Sequence, residues 1–251
     1  MSTVVKALSL LDHLEARRPE IGLVDLARLA NLDEATTRRL LIALAAKGFI
    51  EQDPATRRYR LGAALVRLAR IRDAAFPFIE IARPIVGALA QRTGETVHIS
   101  QFAGDTLSSV FVCESPHANR VSVDVGQTLP FNCTASGLAF LSAASETFQN
   151  QVLNSPLPHM TPKSIATAEA LRKGTEETRK LDYAMSDQGF EIGVVSIAAA
   201  IVGPSGAAVG ALSITSPPVR ADAATLKQQG RDACDVAARI SAALGGRLAA
   251  L

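Results

Sequence analysis

The hydrophobic pattern of the first sixty residues predicts three short helices and a hairpin. Apolar side chains recur at steps of three and four residues over positions 4–14, which indicates an amphipathic helix that must bury one side. Further helices are predicted at 24–30 and 34–47. Residues 49–52 and 58–61 alternate as strands on either side of a turn-forming tip. Three helices followed by a hairpin predict a winged helix-turn-helix.

The rest of the chain mixes helical and strand patterns. A helical stretch at 62–76, ended by Pro77, predicts a linker, and the next helix, at 79–91, is expected to be interrupted at Pro84. Strands are predicted at 96–101, 108–113 and 119–123, and in an uncharged hairpin at 194–202 and 207–215. Helices are predicted at 132–144, 167–181 and 222–248. This order predicts an α+β ligand-binding domain.

Charge divides the chain into a basic head and a mildly acidic body. Residues 1–72 hold 13 Lys and Arg against 8 Asp and Glu, whereas residues 73–251 hold 13 against 16. A basic small domain beside an acidic larger one is typical of proteins whose head contacts nucleic acid. We therefore expect a DNA-binding domain at 1–62, a linker helix at 63–76 and a ligand-binding domain at 77–251.

Cysteine usage and hydropathy indicate where the protein works. Cys113, Cys133 and Cys234 are too widely spaced for a disulfide framework or a zinc knuckle, which favours a reducing compartment. The uncharged stretch 192–219 is cut by Gly-Pro-Ser-Gly at 203–206 into two runs of about ten residues, too short to span a bilayer. We expect a cytoplasmic protein with no membrane contact and no cofactor.

The third predicted helix has the chemistry of a recognition helix. Such a helix presents short polar groups and cations near its N-terminus, where base edges and phosphates lie. The candidate DNA-binding residues of this helix and of the wing tip are Thr36, Thr37, Arg38, Arg39, Arg57 and Arg58. The alternative is that the two helix arginines are solvated surface charges or pair with Glu34 and Glu51.

Hydroxyl and amide groups in the body predict a small polar ligand. The segment 132–137 opens a predicted helix, whose free N–H groups favour an anion such as a carboxylate. Ser213 and Thr215 share one face of the uncharged hairpin, and Ser196 lies on its other strand. The alternative is that these hydroxyls only bond to the backbone.

Short motifs in a fixed order give the chain a family resemblance. The head carries ALSLL at 7–11, DLA at 25–27, TTRRLL at 36–41 and GFI at 48–50. The body carries GETV at 94–97, GQTLPF at 126–131, SG at 136–137, GFE at 189–191 and GVVSIAA at 193–199. In this order they resemble the IclR family of bacterial transcriptional regulators over nearly the whole chain.

The resemblance implies a GAF-like effector-binding domain joined by a helix to the winged head, working as a homodimer or a dimer of dimers. In relatives the effector is held at positions corresponding to Ala135, Ser136, Ser186, Ser196, Ser213 and Thr215. The helix-opening loop adds Asn132, Cys133 and Thr134 to the candidate effector site. This chain has Leu138 where the family commonly has Lys, and Ser196 where it commonly has Cys, which exchanges a thiol for a hydroxyl.

Together these features predict a one-component regulator that binds double-stranded operator DNA. We expect it to repress catabolic or transport genes and to respond to a small organic or aromatic acid. The alternative is a GAF-fold small-molecule-binding protein or enzyme whose head is an interaction module. Cys133 and Ser136, with His98 upstream, are the candidates for nucleophilic catalysis, but the chain has no GxSxG elbow, zinc-type histidine pair or phosphate-binding loop. We therefore expect no enzymatic activity.

Overall fold

The N-terminal unit, residues 1–77, forms the three helices and the hairpin that the periodicity predicts, but its first α-helix ends at Ser9 instead of position 14. The structure is a computed structural model that describes residues 2–14 and 18–246. The helices are α1 (Thr3–Ser9), α2 (Leu23–Leu29) and α3 (Glu34–Ala46), with a 3-10 turn at Leu11–His13. Strands β1 (Ile50–Gln52) and β2 (Tyr59–Leu61) pair antiparallel, and α4 (Ala63–Ala75) follows them.

One apolar core holds α1, α2, α3 and the hairpin together. Its buried members are Leu10, Leu14, Ile21, Leu26, Leu40, Leu41, Leu44, Ile50 and Tyr59. Burying each large aliphatic side chain stabilises the fold by about 1.5–3 kcal/mol. Ile21 and Tyr59 exchange two backbone hydrogen bonds, which attach the segment before α2 to the edge of the wing. Helix α4 lies outside this core, since none of its described side chains is buried.

The C-terminal unit, residues 78–251, is an α+β domain built on one antiparallel sheet, as predicted. The strand order is β4-β3-β7-β6-β5. The strands are β3 (Thr96–Ala103), β4 (Thr106–Cys113), β5 (Ala184–Asp187), β6 (Val195–Val202) and β7 (Ala208–Ser216). The helices are α5 (Phe78–Thr93), α6 (Ala135–Ala143), α7 (Glu146–Leu153), α8 (Ala168–Leu181) and α9 (Ala223–Ala243).

Helices cover both faces of the sheet, and the sheet residues beneath them differ in polarity between the two faces. Helices α5 and α9 pack on one face, while α6, backed by α8, packs on the other. Because side chains alternate along a strand, Val97, Ile99 and Ile214 point toward α5 and α9. Ala198 and Ala211 point toward α6 and share an apolar cluster with it. The α6 side also carries the polar residues of the candidate effector site.

Two expectations for the body are wrong. Residues 119–123 form no strand, because Val121 is held by a side chain instead of a ladder: its carbonyl accepts a 2.6 Å hydrogen bond from Thr96 Oγ1. Helix α5 also continues through Pro84 without interruption. Pro84 is exposed, so the Glu80 carbonyl that loses its helical donor lies on the solvent side.

Other differences concern short elements and helix ends. Helix α7 and strand β5 were not predicted, and α7 is begun by Ser145, whose hydroxyl accepts from the Phe148 N–H. Helix α6 begins at Ala135 instead of position 132 because Thr134 caps it. The last predicted helix ends at Ala243, and its expected final residues, 247–248, lie outside the described residues.

Candidate DNA-binding surface and effector site

The start of α3 is fixed by a cap that leaves its arginines at the surface. Asp33 Oδ1 accepts a 2.7 Å hydrogen bond from the Thr36 N–H, which lowers the pKa of the Asp33 carboxyl below its ordinary value. Arg38 and Arg39 are exposed and form no ion pair with any other described residue. Glu51, an alternative partner, pairs instead with Arg60 at 3.4 Å.

The two threonines of this turn differ in exposure. Thr36 is half-buried at the surface of the turn. Thr37 is fully buried, and its hydroxyl donates a 2.9 Å hydrogen bond to the Asp33 carbonyl. The structure therefore corrects the expectation that Thr37 contacts DNA, because its hydroxyl is used within the fold.

The wing tip is a built turn that exposes two arginines. Asp53 Oδ1 accepts from the Ala55 and Thr56 N–H groups at 2.9 and 2.7 Å, and the Thr56 contact is the main cause of the lowered pKa of Asp53. Arg57 adopts a left-handed φ of 61°, and its carbonyl accepts a 2.9 Å hydrogen bond from the Gln52 amide. Arg57 and Arg58 are exposed beside this turn, as a phosphate contact requires.

The strand register brings the predicted hydroxyls of the body into rows on the α6 face. One row runs Thr96, Thr215, Ser196 and Ser186 across β3, β7, β6 and β5. In the next row, Ser213 stands between His98 and Ala198. Ser196, Ser213 and Thr215 are all buried. The fold thus assembles residues from four strands into one buried polar patch.

The loop that precedes α6 packs tightly, and most of its polar groups already form hydrogen bonds within the fold. Thr134 Oγ1 accepts from the Gly137 N–H at 2.9 Å and donates to the Pro130 carbonyl at 3.0 Å. A Cβ on Gly137 would lie 2.5 Å from the Cα of Phe131, so only glycine fits there. The N–H groups of Ala135 and Ser136 have no acceptor inside the helix, because first-turn amides never do. They are the donors that an anion could use.

Three of the predicted effector residues support this loop. The Asn132 amide donates to the Pro158 and Ile165 carbonyls, both at 2.7 Å, and the Cys133 thiol also donates to Pro158. Ser186 donates a 2.8 Å hydrogen bond to the Cys133 carbonyl. The donors of Asn132, Cys133 and Ser186 are thus occupied within the fold, and the contact of these residues with an effector stays a prediction.

The hydroxyl groups of the β6–β7 hairpin differ in whether they already donate a hydrogen bond within the fold. Ser213 donates to the Ile197 carbonyl and Thr215 to the Thr96 carbonyl, both at 3.1 Å. Each retains lone pairs that can accept from a ligand. The Ser196 hydroxyl forms no hydrogen bond with another described residue, so both its donor and its acceptors are available.

His98 belongs to this patch, although sequence reasoning considered it only for catalysis. Its Nε2 lies 3.4 Å from Ser136 Oγ, in the first turn of α6, and its Nδ1 has no partner among the described residues. Burial lowers the pKa of His98 to about 4, so the ring is neutral near pH 7. The sequence signal that could have identified His98 as part of the patch is a histidine among the alternating residues of a buried strand.

This burial predicts a loss of stability in mild acid. The pKa of His98 is about 4 in the fold and near its ordinary value of 6.5 when unfolded. Between these two pKa values the unfolded chain takes up a proton that the folded chain does not. The contribution of neutral His98 to the free energy of unfolding is therefore fully present above pH 6.5 and decreases as the pH is lowered. The free energy of unfolding should drop by about 2 kcal/mol from about pH 7.5 to pH 5. In His98→Gln this part of the pH dependence should vanish. Identical pH profiles in urea unfolding would contradict the assignment.

No group of three or more His, Cys, Asp or Glu residues in the described ranges is arranged to hold a metal ion. Within residues 2–14 and 18–246, no helix is long and apolar enough to cross a membrane. Burial is the main cause that raises the pKa of the Cys234 thiol to about 11, and it also raises the pKa of the Cys113 thiol.

Comparison with known families decides the class of the protein. The family model described as "Bacterial transcriptional regulator IclR C-terminal" matches residues 74–242, and the "IclR helix-turn-helix domain" matches residues 3–54. This chain belongs to the IclR family. The resemblance seen in the sequence motifs is thereby confirmed, and the protein is a transcriptional regulator with a helix-turn-helix DNA-binding domain.

Individual IclR proteins match over nearly their full length. The chain is 27% identical to the HTH-type transcriptional regulator XynR of Escherichia coli K12 over 98% of both chains. It is 27% identical to the HTH-type transcriptional repressor AllR of the same strain, over 96% of this chain and 89% of AllR. Since these relatives are regulators and not enzymes, the expectation of no enzymatic activity is confirmed.

Solved IclR structures share the fold of this chain. An IclR transcriptional regulator of Silicibacter sp. TM1040 superposes with a TM-score of 0.90 and 36% identity, covering 98% of this chain and 97% of that one. An IclR homolog of Microbacterium hydrocarbonoxydans, solved with 4-hydroxybenzoate, gives 0.78 at 24% identity, with coverage of 97% and 99%. The predicted fold class is confirmed.

Proposed function

We propose that this IclR protein is a repressor of catabolic or transport genes that is controlled by a small organic acid. The observation that carries the proposal is the buried polar patch on the α6 face, which holds hydroxyls and free helix amides and contains no charged side chain on β3, β6 or β7. Relatives named as repressors, AllR and IclR of Escherichia coli, support the direction of control. A regulator of this kind works on DNA in the cytoplasm.

The proposed operator contacts come from the recognition helix and the wing. Thr36, Arg38 and Arg39 lie at the exposed start of α3, where a recognition helix meets base edges. Arg57 and Arg58 at the wing tip would bind phosphates or the minor groove. In the working layout, residues 1–62 bind DNA, 63–76 connect, and 77–251 bind the effector.

We propose that the protein works as a homodimer, or as a dimer of dimers, through surfaces of the N-terminal unit. Helix α1 exposes Val4 and Leu8, at 67% and 49%, and α4 exposes Val66 and Ile71, at 63% and 59%. Such apolar side chains on two helices are typical of surfaces that bind another chain. A dimer would also place two recognition helices on the two halves of a partly palindromic operator.

The proposed effector is a small carboxylate or hydroxylated aromatic acid. Its anion would accept from the Ala135 and Ser136 amides at the start of α6, where the helix dipole favours negative charge. Its other polar groups would meet Ser196, Ser213 and Thr215. The 4-hydroxybenzoate in the Microbacterium homolog is a ligand of this chemical class and supports the proposal.

A thermal-shift screen of the full chain against small acids tests this function, followed by calorimetry on the compounds that stabilise it. The panel contains benzoate, 4-hydroxybenzoate, glycolate and lactate, with the corresponding amides as neutral controls. Acids should stabilise the protein and amides should not. A screen in which only cations or large apolar compounds bind would contradict the proposed chemistry.

Ser213→Val and Ser196→Val should each reduce affinity for the bound acid by about 1–2 kcal/mol. Valine keeps the strand but deletes the hydroxyl, which leaves a polar ligand atom unpaired. If both hydroxyls hold one ligand, the double variant should be non-additive by calorimetry. Ser205→Val, at the exposed tip of the β6–β7 hairpin, is the matched control. Full affinity in both patch variants would show that the effector binds elsewhere in the body.

A further inference from the structure

The outer side of α3 carries a large apolar side chain that lies mostly in solvent. Ile42 is 61% exposed, whereas Leu40, Leu41 and Leu44 on the same helix are buried in the core of the N-terminal unit. Isoleucine is also a poorer helix former than alanine, so the helix gains no stability from it at an exposed position. Neither core packing nor helix propensity therefore accounts for an isoleucine here.

Ile42 lies on the side of α3 that points away from the core. Residues three, four and seven positions apart share one face of a helix, so Ile42 shares a face with Arg38 and Arg39. Ala35, two turns before Ile42, and Ala46, one turn after it, lie on the same face. All five residues are exposed. The outer face of α3 thus combines two arginines, one isoleucine and short alanines.

This face is the one that a recognition helix turns toward the bases. The opposite side of α3 packs on the core of its own domain, so the residues farthest from that core meet the floor of the major groove. Ala35 and Ala46 are short, and they let the helix approach the base edges closely. Ile42 is the longest apolar side chain on this face, and it follows Arg38 and Arg39 by one turn.

The major groove offers one group that complements an isoleucine. The base edges there present hydrogen-bond donors and acceptors, and only thymine adds a 5-methyl group. An isoleucine placed over a donor or acceptor removes water from it without replacing the lost hydrogen bond, which is unfavourable. Placed over thymine, it buries a methyl group, which is favourable. An apolar side chain in this place therefore favours thymine over the other bases.

We propose that Ile42 contacts the 5-methyl group of one thymine in each operator half-site and so helps to determine which sequence the protein binds. The inference rests on the proposed function, because it takes α3 to be the helix that reads the bases. It adds to Arg38 and Arg39 a specificity-determining residue that the sequence motifs did not indicate.

Replacing thymine by uracil tests this contact, because uracil differs from thymine only in lacking the methyl group. The probe is a duplex that the wild-type full chain selects from a random-sequence library, with each thymine replaced in turn by deoxyuridine. At one thymine of each half-site the replacement should weaken wild-type binding about fourfold. In Ile42→Ala the same replacement should have no effect, and the salt dependence of binding should stay that of the wild type. Ile42→Val, which keeps a branched apolar side chain, should retain the preference for thymine.

Val24→Ala is the matched control, because Val24 is also 61% exposed and lies on α2. This variant should keep the wild-type sensitivity to uracil. If Ile42→Ala binds more weakly but stays as sensitive to uracil as the wild type, the proposal is overturned, because Ile42 then contacts sugar or phosphate. A changed oligomeric state of Ile42→Ala in sedimentation would also overturn it, since it would show that Ile42 contacts another protein chain.

Failure of the thymine contact can be told apart from failure of the proposed operator contacts. If a sequence is selected and no uracil effect depends on Ile42, only the thymine contact falls, and α3 remains the reading helix provided that Arg38→Ala with Arg39→Ala binds weakly. If the wild type selects no sequence, base reading by α3 and the role of Ile42 both fall. Thermal unfolding of Ile42→Ala should match the wild type, and a marked loss of stability would overturn the proposal by showing that Ile42 packs within the fold.

Discussion

Replacing Arg38 and Arg39 together with alanine is expected to abolish tight operator binding while the protein stays folded. Both side chains are exposed in the first turns of α3, and neither is held by an ion pair with another described residue. Each arginine that reads a base should contribute about 1–3 kcal/mol, or about ten- to a hundredfold in affinity. Each one that contacts a phosphate should reduce the slope of log affinity against log salt by about one.

A matched control removes the same charge from the body. Arg172 and Lys180 are exposed on α8, so Arg172→Ala with Lys180→Ala gives an equal change of net charge away from the proposed interface. Fluorescence anisotropy on an operator fragment at two salt concentrations should show the loss only in the α3 variant. Equal weakening in both variants would mean that net charge, and not the recognition helix, governs binding.

Replacing Arg220 with alanine is expected to destabilise the body by about 3–5 kcal/mol, because it leaves a buried carboxylate without its counter-ion. Glu95 is 4% exposed and precedes β3, while Arg220 lies in the 3-10 turn after β7. The guanidinium donates to both carboxylate oxygens, with Nη2 at 2.8 Å from Oε2. This pair joins the start of β3 to the end of β7, beside the polar rows of the effector site.

Arg83→Ala is the control for this prediction. Arg83 pairs with Glu80 at 3.8 Å, with both side chains more than half exposed, and its guanidinium lies 4.7 Å from the centre of the Phe111 ring, so Arg83→Ala should cost no more than about 1–2 kcal/mol. The double variant Glu95→Leu with Arg220→Met should recover much of the stability, because it removes both charges. Hydrogen exchange of β3 and β7 amides in urea measures the body alone. If Arg220→Ala lowers the free energy of unfolding as little as Arg83→Ala does, this would contradict the prediction that it leaves the Glu95 carboxylate buried without a counter-ion.

The head could be predicted from the sequence because its determinants are local. Apolar periodicity fixes α2 and α3, the Asp33 side chain fixes where α3 begins, and the turn at Asp53 fixes the wing. The burial of Thr37 could not be predicted in this way. Thr36 and Thr37 look alike in sequence, and only the packing of α3 on the core decides which one reaches the surface.

The effector site could be predicted only in part, because it depends on contacts between distant segments. Motif resemblance named Ser136, Ser196 and Ser213 as candidates, but the loop contacts that occupy the Asn132 amide come from carbonyls 26 and 33 residues away. The place of His98 in the buried polar patch could not be predicted, because its neighbours are set by strand register, which pairs it with Ser213, 115 residues later. No local pattern records such a pairing.

The most direct test of a ligand-controlled repressor is the operator affinity of the full chain with and without the acid that calorimetry shows to bind. Coupling between the two sites should change operator affinity by about five- to 150-fold at a saturating concentration of the acid. For a repressor released by its effector, the affinity should fall. The matching neutral amide should leave it unchanged. Operator affinity that stays the same when the effector site is saturated would contradict the account.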